Sequence, residues 1–236
     1  MDFINQNILI TGAADGLGFA ISKAFANKKA NLYLIDINFE KLIDNNISNS
    51  RNIQCDLSNL ISVKKLIDKF KEEKLAIDIL IHNAAVLVPK SFEKTNINYW
   101  DEMINISLNT GYLLSKYVWT NMKNNNEGKI IYVSSRSGIE GFENESAYCA
   151  SKHGLEGLMK SLAIEGAEIG IQVFTVTPGM FMKTPMSEQN YQDEYKKKWV
   201  DPIELAPAFL KLASGNCKHL SGSRINAWDL STGENK

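Results

Sequence analysis

The sequence is poor in cysteine: Cys55, Cys149 and Cys217 are all it holds, far apart, odd in number and without a CxxC pair. That excludes a disulfide framework. It also excludes a zinc-type ligand set, because His82, His153 and His219 do not fall at metal-binding spacings beside them. Lone thiols of this kind suit a reducing compartment. Excess charge is missing too, since 26 Lys and Arg face 27 Asp and Glu for a net charge of -1. Without a basic surplus there is no electrostatic ground for expecting nucleic acid or an anionic membrane as partner. The densest basic run, Lys196 to Lys198, reads as a solvated helix face. No apolar run is long enough to span a bilayer. The opening stretch MDFINQNILITG enters an apolar run with no basic region or cleavage site before it, so a cytoplasmic protein is expected.

What the chain does have is 236 residues, 44% of them hydrophobic, which is ample for one well-buried core. Short runs rich in Ile, Val and Leu (7–12, 31–36, 52–56, 77–85, 128–135 and 171–179) read as strands. Helical patterns lie between them, at 17–28, from Phe39, and near 60–74, 99–122 and 149–167. Fully apolar strands separated by helices predict a parallel sheet covered on both faces. No linker, repeat or low-complexity tract divides the sequence, so one doubly wound α/β domain over 1–236 is expected.

In such sheets ligands bind beyond the carboxyl ends of the strands, where the strand order reverses. The first strand ends in TGAADGLG, with Gly12, Asp15, Gly16, Leu17 and Gly18 opening a helix. Glycines permit a tight turn and close approach of a phosphate, and the helix directs free N–H groups and its positive dipole end at the anion. Asp36 closes the second strand, 20 residues after Gly16, where a carboxylate can accept hydrogen bonds from adenosine ribose hydroxyls. The same carboxylate would repel a 2′-phosphate, and no Arg or Lys stands in the turn to receive one. NAD is therefore the expected cofactor. Further along, AYCASKHG places a phenol, Tyr148, four residues before an ammonium, Lys152, on one face of a helix.

Taken together, TGAADGLG, HNAA (82–85), VSSRSG (133–138), YCASK (148–152) and TPG (177–179) resemble the short-chain dehydrogenase/reductase family in its compact single-domain branch. The resemblance implies a Rossmann-like doubly wound parallel sheet with a small substrate lid at about 180–200. It also implies hydride transfer between NAD and a small-molecule secondary alcohol or ketone. Tyr148 would be the general acid/base. An unperturbed phenol, with a pKa of about 10, is too weak an acid to serve as a base at neutral pH. A neighbouring ammonium and an oxidised nicotinamide both favour the phenolate, so Lys152 is expected to tune Tyr148 and, by analogy, to hold the nicotinamide ribose. Ser135, thirteen residues before the tyrosine, would steady the substrate oxygen. Asp56 and Leu57 would meet the adenine, Asn83 and Ala84 would stand behind the cofactor, and Pro178 and Gly179 would lie beside the nicotinamide.

The chain departs from the family pattern in three places. Ser107 stands where many relatives carry an asparagine that holds a proton-relay water, with Asn105 and Asn109 on either side. On an α-helix, residues two apart point about 200° away from each other, so neither neighbour would replace it. Thr184, the candidate carboxamide contact, comes after four intervening residues where relatives usually have three. Trp228 and Asp229 stand where relatives close with a VDGG-type sequence. The segments flanking the site mix Phe142, Phe181, Tyr191 and Tyr195 with Arg136, Glu140 and Lys183, which suits a polar substrate such as a sugar derivative or a hydroxy acid. Arg136 could meet an anionic group or simply brace its loop. Surplus apolar residues on helices 99–122 and 149–167 suggest a homodimer or homotetramer. The competing reading is a catalytically silent NAD(H) sensor of the same fold.

Overall fold

The computed structural model describes residues 2–191, 193–215 and 217–233. Its centre is one parallel sheet of seven strands in the order β3-β2-β1-β4-β5-β6-β7. The strands are β1 (Asn7–Thr11), β2 (Asn31–Asp36), β3 (Ser50–Gln54), β4 (Ile79–His82), β5 (Gly128–Val133), β6 (Ile171–Thr177) and β7 (Arg224–Asn226). The order runs outward in both directions from β1 and β4. The crevice between those two strands is thus the place where loops diverge and a ligand can enter.

Both faces of the sheet are covered, which is why its central strands lack polar alternation. Ile8 and Ile10 of β1 face one side, against Leu17, Ile21 and Phe25 of α1 (Gly16–Ala26) and Phe209 and Leu212 of α9 (Ala206–Ser214). Leu9 faces the other side, with Val63, Ile67 and Phe70 of α3 (Leu60–Glu72), Leu114 and Val118 of α5 (Thr110–Asn125), and Leu155 and Met159 of α6 (Ser146–Gly166). Side-chain caps fix where helices begin. Asp15 accepts from the N–H of Gly16 at the head of α1, and Asn59 accepts from Ile61 and Ser62 at the head of α3.

The helix expected over 99–122 is broken. It begins as α4 (Ile97–Ile104), widens into a π-helical turn at Asn105–Asn109, and resumes as α5. The N–H of Thr110 reaches the carbonyl of Asn105, five residues back. Strands expected to reach Ala85, Ser135 and Gly179 stop at His82, Val133 and Thr177, and the residues beyond form loops on one rim of the sheet. Two short helices, α7 (Pro185–Asn190) and α8 (Asp193–Lys196), occupy the segment expected to be a lid, and a last helix, α10 (Ala227–Thr232), follows β7. Asn190 donates to the carbonyl of Leu87 at 2.7 Å, tying α7 to the loop after β4. No helix among the described residues is long and apolar enough to cross a membrane.

Candidate active site

The glycine turn lies in the crevice between β1 and β4. Gly12 has φ +65°, and a Cβ there would come within 2.9 Å of the Ala84 Cα. Gly18 lies closer still, where a Cβ would be 1.9 Å from the Gly12 carbonyl oxygen. Helix α1 can therefore start directly against the strand end only because both positions lack side chains. Asn83 braces the turn from behind, its side-chain amide donating to the carbonyls of Thr11 (3.1 Å) and Gly12 (3.0 Å). Leu17 is buried beneath the turn, and Thr184, capping α7, lies across it with its methyl 3.1 Å from where a Cβ on Gly16 would stand.

Asp36 reaches the same turn. Its carboxylate accepts from the N–H of Ala14 at 2.9 Å and from that of Asn38 at 3.0 Å. A cation that sequence spacing did not place nearby also arrives here: Lys41 of α2 (Phe39–Asp44) pairs with Asp15. Asp56 caps its own loop through the N–H (2.9 Å) and hydroxyl (2.7 Å) of Ser58. The neighbouring carbonyl of Leu57 accepts from Thr110 Oγ1.

Tyr148 and Lys152 lie one turn apart on α6 and are almost wholly buried, at 7% and 1% exposure. Burial pushes the Tyr148 phenol well above its usual value, and the nearby Ser135 hydroxyl acts against that rise. Lys152, the group expected to tune the phenol, has its ammonium 5.5 Å from the Tyr148 ring centroid, and it donates to the Val133 carbonyl at 2.8 Å. Desolvation dominates both groups and brings Lys152 down to about 8, against an opposing pull from the Glu156 carboxylate.

Ser134 and Ser137 take different duties from Ser135. Ser134 Oγ donates to Glu156 Oε1 at 2.5 Å, and Ser137 Oγ donates to Glu145 Oε2 at 2.9 Å. Glu156 is buried one turn beyond Lys152 and also accepts from Thr175 Oγ1 at 2.7 Å. Arg224 of β7 meets it at 3.3 Å, a contact of charges rather than an aligned hydrogen bond, and donates to the Ser135 carbonyl at 3.1 Å. Sequence reading passed over Glu156, Arg224 and Glu145. A signal for Glu156 existed in its spacing of four from Lys152, the same step that separates Lys152 from Tyr148.

Ser107 lies in the π-helical turn, buried, and its carbonyl is 2.8 Å from Nε2 of His82. Asn105 and Asn109 do not serve in its place: Asn109 donates to Asn105, and Asn105 donates to the Ser58 carbonyl. Pro178 and Gly179 follow β6, where the Pro178 carbonyl accepts from the N–H of Trp228. The atypical C-terminal segment thus anchors this loop. Arg136 is turned outward, paired with Glu140 at 2.8 Å and lying over Phe142. His153 binds the Cys149 carbonyl of its own helix.

The glycine turn, the buried tyrosine–lysine pair and Ser135 meet at one rim of one sheet, and residues 6–195 match the model of the short chain dehydrogenase family. The chain belongs to the short-chain dehydrogenases. As such it is an oxidoreductase. A 3-oxoacyl-(acyl-carrier-protein) reductase of Rickettsia bellii is 32% identical over 96% of this dehydrogenase and 96% of its own length. A D-threitol dehydrogenase of Mycolicibacterium smegmatis is 30% identical over 92% and 89%. Among solved structures, a 4-hydroxyisoleucine dehydrogenase complexed with NADH superimposes with a TM-score of 0.85 at 27% identity, over 98% of this dehydrogenase and 100% of that chain. The three relatives differ widely in substrate, so family membership alone leaves the substrate of this dehydrogenase open.

Proposed function

We propose that this protein transfers a hydride between NAD and a polar secondary alcohol or its ketone, and that Tyr148 moves the accompanying proton. The observation that carries this reading is the convergence of Ser135 on the Tyr148 phenol, with Lys152 buried one turn away. The cradle made by Gly12 and Gly18, which any side chain would fill, fits the cofactor's pyrophosphate, and Asp36 fits the adenosine ribose. When bound, NAD supplies the hydride acceptor and a positive ring beside the phenol. Tyr148 then takes the proton from the substrate hydroxyl as its carbon gives up hydride. Ser135 holds the substrate oxygen, and Lys152 keeps a positive charge below the phenol and holds the nicotinamide ribose. Asp56 and Leu57 would meet the adenine, Ala84 would stand behind the cofactor, and Pro178, Gly179 and Thr184 would hold its nicotinamide end. Ser107 acts through its backbone rather than as the water-holding group of its relatives.

The choice of NAD over NADP rests on the Asp36 carboxylate and on the pairing of Lys41 with Asp15, which occupies the nearest cation. The NADH bound by the 4-hydroxyisoleucine dehydrogenase agrees with this choice. The proposal includes a cytoplasmic homodimer or homotetramer joined through α5 and α6, where Leu113, Tyr117, Leu158 and Leu162 stay only partly buried.

The test is nicotinamide absorbance with NAD and pooled polar secondary alcohols, run on wild type and Tyr148→Phe. Formation of NADH by wild type alone is the expected result. NADH binding with no turnover of any alcohol or ketone would instead favour the sensor.

A further inference from the structure

Glu145 immediately precedes α6, three residues before Tyr148, and its carboxylate makes no cap bond to its own helix. It accepts from Ser137 Oγ at 2.9 Å, and Ser137 Oγ in turn lies 3.3 Å from Ser135 Oγ. The carboxylate is therefore one hydroxyl away from Ser135, the proposed partner of the substrate oxygen. Its charge also bears on three phenols, those of Tyr148, Tyr191 and Tyr99, and raises all of them. Glu145 thus stands between the helix that carries Tyr148, the α7 side of the lid and the helix that carries Tyr99.

The cations around the mouth are committed elsewhere. Arg136 is neutralised by Glu140, Lys90 lies over the Tyr99 ring at 4.2 Å, and Arg224 is held by Glu156 and the Ser135 carbonyl. Lys152 is spent on the Val133 carbonyl and the Tyr148 ring, and Lys183 is exposed on the loop before α7. Among the described residues none of these forms an ion pair with Glu145. Burial pushes the Glu145 carboxyl up and the Ser137 hydroxyl opposes that rise; as a carboxylate it offers only lone pairs. It welcomes O–H donors and repels a second carboxylate.

We infer that Glu145 sets the substrate class: an uncharged polyhydroxylated compound, a sugar alcohol or the corresponding keto sugar, rather than a hydroxy acid or sugar acid. A second hydroxyl beside the reacting carbinol donates to Glu145 while the carbinol itself meets Tyr148 and Ser135. This inference rests on the oxidoreductase reading above and narrows it. Glu145 acts on binding, so it is a specificity-determining residue and takes no part in the proton transfer.

The experiment measures initial rates of NADH formation on short-chain sugar alcohols and on sugar acids of matching length, for wild type and Glu145→Gln. Fluorescence titration with NADH confirms that both proteins are folded. Wild type is expected to favour the neutral polyols by about tenfold or more in kcat/KM. Glu145→Gln is expected to narrow that preference by about tenfold, chiefly through a lower KM for the acids. A wild-type preference for the acids overturns the inference, and so does an unchanged preference in a variant that still binds NADH. If wild type turns over neither class yet reduces other ketones, the inference fails and the oxidoreductase reading stands. If no alcohol or ketone reacts while NADH binds, that reading fails as well.

Discussion

The Thr11 hydroxyl donates to Nδ1 of His82 across 2.9 Å, and the direction of that bond fixes the tautomer of a buried histidine. Thr11 Oγ1 already accepts from the N–H groups of Asn83 (3.1 Å) and Ala84 (3.0 Å), which uses both of its lone pairs. Its one proton must therefore go to His82. Nδ1 is the acceptor, and Nε2 carries the hydrogen that meets the Ser107 carbonyl.

A neutral histidine locked in this way makes the fold sensitive to acid. Burial lowers His82 to about 4 from 6.5, so between those values the unfolded chain takes up a proton that the folded chain refuses. Stability is complete above pH 6.5 and falls as the pH drops towards 4. The loss amounts to on the order of 3 kcal/mol. Urea unfolding at pH 7.5 and pH 5 is expected to show about 2 kcal/mol of this fall in wild type and a smaller one in His82→Gln.

Lys152 follows the same sign at higher pH. Its value of about 8 lies below the ordinary 10.5, so below pH 8 the fold bears the cost of a buried ammonium, and stability rises as the pH climbs through that window. Lys152→Met is expected to abolish turnover while raising stability at pH 7 by about 2 kcal/mol. A thermal melt beside an activity assay checks both halves.

Glu156 holds the Lys152 charge in place. With Glu156→Gln the ammonium loses its proton at lower pH, so the alkaline limb of the kcat/KM profile is expected to move down by about one pH unit. A purely structural role for Glu156 would lower kcat/KM equally at every pH.

Asp36 is expected to decide between the two nicotinamide cofactors. Asp36→Ser removes the charge that would face a 2′-phosphate and frees the N–H of Ala14. Paired titrations with NADH and NADPH should show a strong wild-type preference for NADH that shrinks by about tenfold or more in the variant.

The parts of this fold that could be read from sequence are those where burial and geometry leave residues little choice. Ile8 to Ile10, Ile130 and Ile131, and Val173, Phe174 and Val176 are apolar because both faces of the sheet are covered, and Gly12 and Gly18 are glycines because nothing larger fits. β7 could not be read, since three half-buried residues, Arg-Ile-Asn, make no run and are a strand only by pairing with β6. The π-helical turn was equally hidden. Asn105 to Asn109 contain neither Gly nor Pro, and the acceptor that the widened turn presents is matched by His82, 25 residues earlier. Charged residues misled in a third way. Glu145, Glu156 and Arg224 have the composition of a surface, and only tertiary contacts show that they face inward.

The bond from Arg224 to the Ser135 carbonyl spans 89 residues and ties the last strand to the middle of the chain. A nascent chain can build the glycine turn, α6 and most of the sheet before β7 leaves the ribosome, but until then Glu156 lies buried without its counter-charge. The serine loop therefore takes its final form only once β7 has joined the sheet, and a chain cut short before β7 keeps the tyrosine and the lysine without the clamp that holds that loop.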